Sequence, residues 1–134
     1  SIVAFVGNEI LNYIIKNKKK IFKKINTNAE YFENNLNKFF KLENIDLKIY
    51  RFKSMLRLVY TKNPLRDRVG RDFLELKKNK LILKFKNYIK SKNIYIPGNG
   101  IMFTSYSHER KHIDFIIKEF KKSSLKIFRK NKKN

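Results

Sequence analysis

The chain has 134 residues, 42% of them hydrophobic and 14% aromatic, with no cysteine, which excludes a wholly disordered polyelectrolyte, a disulfide framework, thiolate metal sites and cysteine nucleophiles. Thirty-three Lys and Arg against eleven Asp and Glu give a formal net charge of +22, a balance that would suit a polyanion. The lysine excess accompanies Asn, Ile and Phe, the residues of A/T-rich codons, and is spread along the chain; it reads as compositional bias, with nucleic-acid binding at most non-specific.

The apolar stretch Ile2 to Ile15 predicts a helix interrupted by Gly7, with a break at "KNKKK" before a second helix. That second helix carries Ile21, Phe22, Ile25, Ala29, Phe32, Leu36, Phe39 and Phe40 at helical spacing, one continuous stripe that must pack against something. "DLKIYRF" and "SMLRLVYT" each alternate with period two and predict strands meeting at Lys53-Ser54. "KNPLRDRVGRD", with Pro64 and Gly70, reads as a loop. Its Arg66, Arg68 and Arg71 stand beside Asp67 and Asp72 and are expected to be self-paired in solvent.

A further helix is marked by Leu74, Leu81, Ile82, Phe85, Tyr88 and Ile89. "NIYIPGNGIMFTS" then predicts two short strands about a Pro97-Gly98-Asn99-Gly100 turn, and Ile113, Ile116, Ile117, Phe120, Leu125 and Phe128 line a last helix with Ser107 as its N-cap. The fold class is α+β: a small antiparallel sheet from Leu47 to Thr61 and Ile94 to Thr104, covered by helices on one side. Phe32, Phe39, Phe85, Ile116 and Phe120 are expected in one core. Tyr50, Tyr60 and Tyr95 alternate with apolar residues, which points to sheet packing rather than base stacking. No apolar run approaches the roughly 18 to 20 residues that span a bilayer. Ser1 to Gly7 has no basic leader or cleavage site. A soluble, cytoplasmic protein without a membrane partner is expected.

His108, Glu109 and His112 form His-Glu-x-x-His, the zinc-peptidase signature. Such a site needs a third ligand. These are the chain's only histidines, and the carboxylates downstream, Asp114 and Glu119, lie on the same helix. At about 100° per residue, Glu109 sits about 40° from an apolar stripe centred near Ile113, with both histidines on its flank. The motif predicts a helix N-terminus and no metal site.

"NIYIPGNGIMFTSYSHERKHIDFIIKEFKKS" resembles the C-terminal end of class III pyridoxal-phosphate aminotransferases, especially glutamate-1-semialdehyde aminomutases and the aminotransferase modules of polyketide and peptide synthases. Phe103, Ser105, His108, Ile113 and Asp114 match that pattern in register. Upstream, "YRFKSMLRLVY" is similar to the family's apolar strand at Phe52, Ser54 and Met55, and "YIIKNKKKIFKKINTNAEYFENNLNKFF" to the helix pair that starts its small domain. The departures are Lys53 and Asn93 where the family has Gly, Glu109 for a capping Thr, His112 for an acidic residue, and small residues at 98–100 where Glu or Arg are common.

The resemblance implies a C-terminal small domain over residues 1–128 and a disordered basic tail over 129–134. The parent enzyme would use pyridoxal 5'-phosphate to move an amino group to or within a carbonyl substrate. Its Schiff-base lysine, pyridine-nitrogen carboxylate and phosphate cradle belong to a preceding large domain. Accordingly no catalytic or cofactor-binding residue is expected in this chain, which alone would be inactive and bind no cofactor. Gly98, Asn99, Gly100, Ser105 and His108 would lie near the substrate, and the parent would be a homodimer. The alternative is a basic nucleic-acid-binding or interaction domain without catalysis. The two differ at Ile2 to Ile15, whose apolar face a separated small domain would leave exposed and a self-contained module would cover.

Overall fold

A computed structural model of the chain describes residues 1–61, 63, 65, 67–98 and 100–129. Pro64, Arg66, Asn99 and the tail from residue 130 onward, all named above, lie outside the described residues.

The first element is one helix, α1 (Ile2–Leu42), and not two. No break occurs at "KNKKK" because lysine is a good helix former and the run contains neither Pro nor Gly. Ser1 caps the start, its hydroxyl accepting from the Ala4 N–H at 3.3 Å. The far end closes in a Schellman motif: Asn44 adopts φ 51°, its N–H reaches the Lys41 carbonyl, and the Ile45 N–H reaches the Phe40 carbonyl at 2.8 Å. Ile45 is thereby delivered into the core.

Strands β1 (Lys48–Phe52) and β2 (Met55–Val59) form an antiparallel hairpin in which Phe52 pairs with Met55. Lys53, in the two-residue turn, takes the left-handed φ of 53°. The loop assigned to 62–72 ends earlier than the sequence suggested. Asp67 accepts from the Gly70 N–H at 2.7 Å and starts α2 (Arg68–Lys77). A break at Lys78 separates α2 from α3 (Asn79–Lys90), where one helix was expected. The Lys78 ammonium is held there by the Asp46 carboxylate and by the Tyr60 carbonyl. A second Schellman turn, at Asn93 with φ 59°, ends α3.

Residues 94–96 are not a strand, another departure from expectation; only β3 (Ile101–Phe103) joins the sheet, antiparallel to β2 with Met55 opposite Phe103. The order is β1-β2-β3. The last helix, α4 (Arg110–Phe128), is capped by Glu109 rather than Ser107.

Helices α1, α3 and α4 gather over the sheet face that carries Ile49, Leu56 and Leu58. Phe32, Phe85 and Phe120 meet edge to face, Phe120 standing 5.4 Å from each of the other two. Phe39 and Ile116 are partly buried against that core. The architecture is the α+β arrangement expected; on the sheet's opposite face Phe52, Met55 and Phe103 form an exposed row at one end, while Arg57 reaches Glu75 of α2 at the other. Tyr60 is buried as expected, whereas Tyr95 is 77% exposed because residues 94–96 left the sheet.

Candidate functional site

The residues expected near a substrate flank β3 on both sides. Before it, the Gly100 N–H closes a turn onto the Pro97 carbonyl at 2.8 Å. Gly100 has φ 73° and is buried; a Cβ there would stand 3.5 Å from the Leu58 carbonyl oxygen, so the turn needs glycine for conformation first and for space second. The Gly98 carbonyl accepts from Lys86 at 2.9 Å. Beyond β3, Thr104 ties the chain to the hairpin and to α1: its N–H reaches the Ser54 carbonyl and its hydroxyl donates to the Ile25 carbonyl at 2.8 Å.

Ser105 to His108 then form a compact turn. The Ser105 N–H donates to His108 Nδ1 at 2.9 Å, the Ser105 and Ser107 hydroxyls are 2.8 Å apart, and the His108 carbonyl accepts from Asn28 of α1 at 3.0 Å. An Nδ1 that accepts is unprotonated, so His108 is neutral with its proton on Nε2. Burial, and the nearby His112, hold its pKa below the ordinary histidine value. His112 is the third residue of α4, and its Nδ1 accepts from the Glu109 N–H at 3.1 Å, one half of a capping box. The first histidine of His-Glu-x-x-His therefore precedes the helix, and each Nδ1 is engaged by a backbone amide. Among the described residues no three potential ligands gather around a metal position.

Both histidines line a cleft of about 640 Å³ between β3 and the start of α4, walled by Phe32, Met102, Phe103 and Phe115. Sequence reading found His108 here but not the aromatic wall. Period-two alternation could have placed Met102 and Phe103 on opposite sheet faces, but a three-residue strand carries too little pattern to do so. A second, polar cleft of about 440 Å³ lies beside Gly98, lined by Arg57, Arg68, Arg71, Asp72 and Glu75. Arg68 and Arg71 pair with Asp72, as the sequence suggested, but from a helix. Arg57 and Glu75 were not singled out. The signal was available, since alternation against buried Leu56 and Leu58 turns Arg57 to the sheet's other face.

Pyridoxal phosphate demands a lysine for its aldehyde, a carboxylate for its ring nitrogen and a phosphate cradle. The aromatic cleft is lined by neither a lysine nor a carboxylate. Lys78, beside Asp46, has its ammonium committed to that carboxylate and to a carbonyl at the α2–α3 break. These described residues do not fit the cofactor.

The fold is that of one segment of pyridoxal-phosphate transaminases. The chain superposes on an omega-transaminase from Sphaerobacter thermophilus with a TM-score of 0.68 at 11% identity, covering 78% of this chain and 24% of that one. It is likewise similar to a transaminase with PLP bound (TM-score 0.59, 15% identity, 78% of this chain and 23% of the other). A third solved structure is a glutamate-1-semialdehyde aminomutase variant from Pseudomonas aeruginosa PAO1 in complex with PMP (TM-score 0.68, 7% identity, 81% and 24%). The chain thus spans about a quarter of the length of the enzymes whose fold it shares. No protein-family model and no curated protein matches the sequence.

Proposed function

We propose that this chain is the C-terminal small domain, residues 1–128, of a class III pyridoxal-phosphate-dependent aminotransferase or aminomutase that moves an amino group to or within a carbonyl substrate. The observation that carries this reading is the shared fold: three such enzymes match over 78–81% of the chain while it covers only 23–24% of each. Two departures from the family pattern support it independently. Lys53 and Asn93 stand where the family has glycine, and both adopt left-handed backbone, the conformation glycine serves best.

In this reading a preceding large domain supplies the cofactor lysine, the carboxylate and the phosphate cradle, and covers the apolar N-terminal half of α1. Ile2 is 83% exposed and Phe5 68% exposed, with Val3, Ile10, Leu11 and Ile15 beside them. That surface also weighs against a self-contained nucleic-acid module, which would keep its apolar face covered. The chain's own contribution is closure: Gly98 and Gly100 before β3 and the Ser105–His108 turn after it approach the substrate. A neutral His108 can donate from Nε2 without competing as a cation. The parent enzyme is a cytoplasmic homodimer, and the 134-residue chain alone is inactive.

Borohydride reduction in the presence of pyridoxal phosphate, followed by peptide mapping, tests this. The isolated chain should show scattered, sparse labelling of surface lysines and no turnover, whereas the polypeptide that carries it should label at one lysine outside this segment. One dominant labelled lysine within these 134 residues, with turnover, would overturn the proposal.

A further inference from the structure

The polar cleft beside Gly98 is built differently from the rest of the basic surface. Among its described residues three guanidiniums, Arg57, Arg68 and Arg71, face two carboxylates, Asp72 and Glu75, leaving one positive charge in excess. Asp72 is fully engaged: one oxygen takes both Arg71 Nε (2.9 Å) and Nη2 (2.6 Å), and the other takes Arg68 Nε at 3.3 Å. Arg57 and Glu75 are not satisfied in the same way. Their closest approach is a loose 3.8 Å between Nη2 and Oε2, although both side chains are more than three-quarters buried, at 21% and 23% exposure. Arg57 Nε and Glu75 Oε1 are buried without any hydrogen-bond partner. A buried charged donor and a buried charged acceptor, each lacking a partner and lining one cavity, are costly unless something polar stands between them.

We infer that this cleft binds a small oxyanion carrying a hydrogen-bond donor next to its charge, as an amino-acid carboxylate with its ammonium or a hydrogen phosphate group does. The oxyanion takes the Arg57 fork, and the adjacent donor satisfies Glu75 Oε1. Unlike the lysines scattered over the surface, the site combines burial, a planar fork and an acceptor. It stands independently of the aminotransferase reading, because it rests only on groups within this chain and lies outside the aromatic cleft that holds the two histidines.

The test is a titration of the 134-residue chain, followed by amide chemical shifts, with glycine, acetate and inorganic phosphate. Salt is set high enough to screen diffuse attraction to the net charge. Saturable shifts confined to Gly70, Gly98 and Ile101 are expected, with glycine and phosphate tighter than acetate; the tighter of those two names the natural ligand class. Arg57→Met should weaken all three by about tenfold or more. Arg71→Met, on α2 rather than in the sheet, serves as the second variant should the strand position prove intolerant. Glu75→Gln should weaken glycine while leaving acetate unchanged or tighter, a reversal that loss of structure would not produce. Shifts spread over the lysine surface and surviving Arg57→Met and Arg71→Met would overturn the inference. So would identical responses of glycine and acetate to Glu75→Gln.

Discussion

The two halves of α1 are both rich in large apolar side chains and opposite in fate. From Ile21 onward the helix buries Ala29, Phe32, Leu36 and Phe40 against strands and α4, whereas from Ile2 to Ile15 its large side chains stay in water. A helix of 41 residues extends about 60 Å, roughly twice the diameter of a small domain, so the sheet and the other helices cover only one end of it. Hydrophobic periodicity specifies that a face will be buried; it does not specify that the partner is in the same chain.

The sharpest way to break that comparison is to truncate one phenylalanine in each half. Phe120→Ala removes the ring that joins Phe32 of α1 to Phe85 of α3 and should cost about 3–5 kcal/mol, enough to threaten folding outright. Phe5→Ala should change stability by no more than about 0.5 kcal/mol and should make the isolated chain less prone to self-associate. Urea midpoints and sedimentation would measure both. A destabilisation at Phe5 approaching that at Phe120 would mean that the N-terminal half is buried after all.

A smaller contrast comes from two asparagines on the same helix. Asn37 donates to the Ile49 carbonyl and accepts from the Ile49 N–H, each at 2.8 Å, so it extends the edge of β1 onto α1. Asn37→Ala strands both backbone groups and should cost about 2 kcal/mol. Asn17, in the exposed half, donates only to the Tyr13 carbonyl of its own helix. Asn17→Ala should be neutral or slightly stabilising, since alanine is the better helix former. Equal losses at the two positions would show that local helix bonds, not docking, hold α1 in place.

How far the sequence could be read follows the same division. The stripe from Ile21 to Phe40, the hairpin at Lys53-Ser54 and the Ile113–Phe128 face were legible because long segments with one buried side carry a clear period. The failures lie where the pattern is short or local chemistry decides. The expected break in α1 at "KNKKK" fell on a run with no apolar period, where lysine's helix propensity carries the helix through. The helix start at Asp67 was hidden by the Pro and Gly around it, and the start of α4 was credited to a serine although Glu109 performs the task. Of the five residues expected near a substrate, Gly98, Gly100, Ser105 and His108 do flank β3, and Asn99 lies outside the described residues. Missed altogether was the Arg57–Glu75 pairing: alternation turns Arg57 to the sheet's other face, but nothing local names its partner on a helix 18 residues away.

The hairpin that the buried half of α1 supports carries its own strain, and this sets the next effect in size. Lys53 pays the left-handed penalty of a residue with a Cβ, so Lys53→Gly should stabilise by about 1 kcal/mol. Asn93→Gly, at a helix C-cap where asparagine is tolerated, should gain only a few tenths. Thermal midpoints of the two variants would rank them, and the reverse order would contradict the turn geometry.

The smallest expected effect is a pH dependence at the point where the Ser105–His108 turn rests on the buried half of α1. The folded state keeps His108 Nδ1 free to accept the Ser105 N–H, while Asn28 of α1 holds the His108 carbonyl. Burial and His112 lower the pKa of His108 below its ordinary 6.5, so in the window below that value the unfolded chain binds the proton more readily than the folded one. Stability contributed here is thus fully present above about pH 6.5 and declines as pH falls toward the lower folded value. The local readout is the Ser105 amide: its exchange protection should fall on acidification while the amides of Phe32 and Leu36 hold. His108→Gln, which offers a side-chain acceptor that does not titrate, should flatten the profile. An unchanged profile in that variant would assign the pH dependence to another group and leave the turn as rigid as the core beneath it.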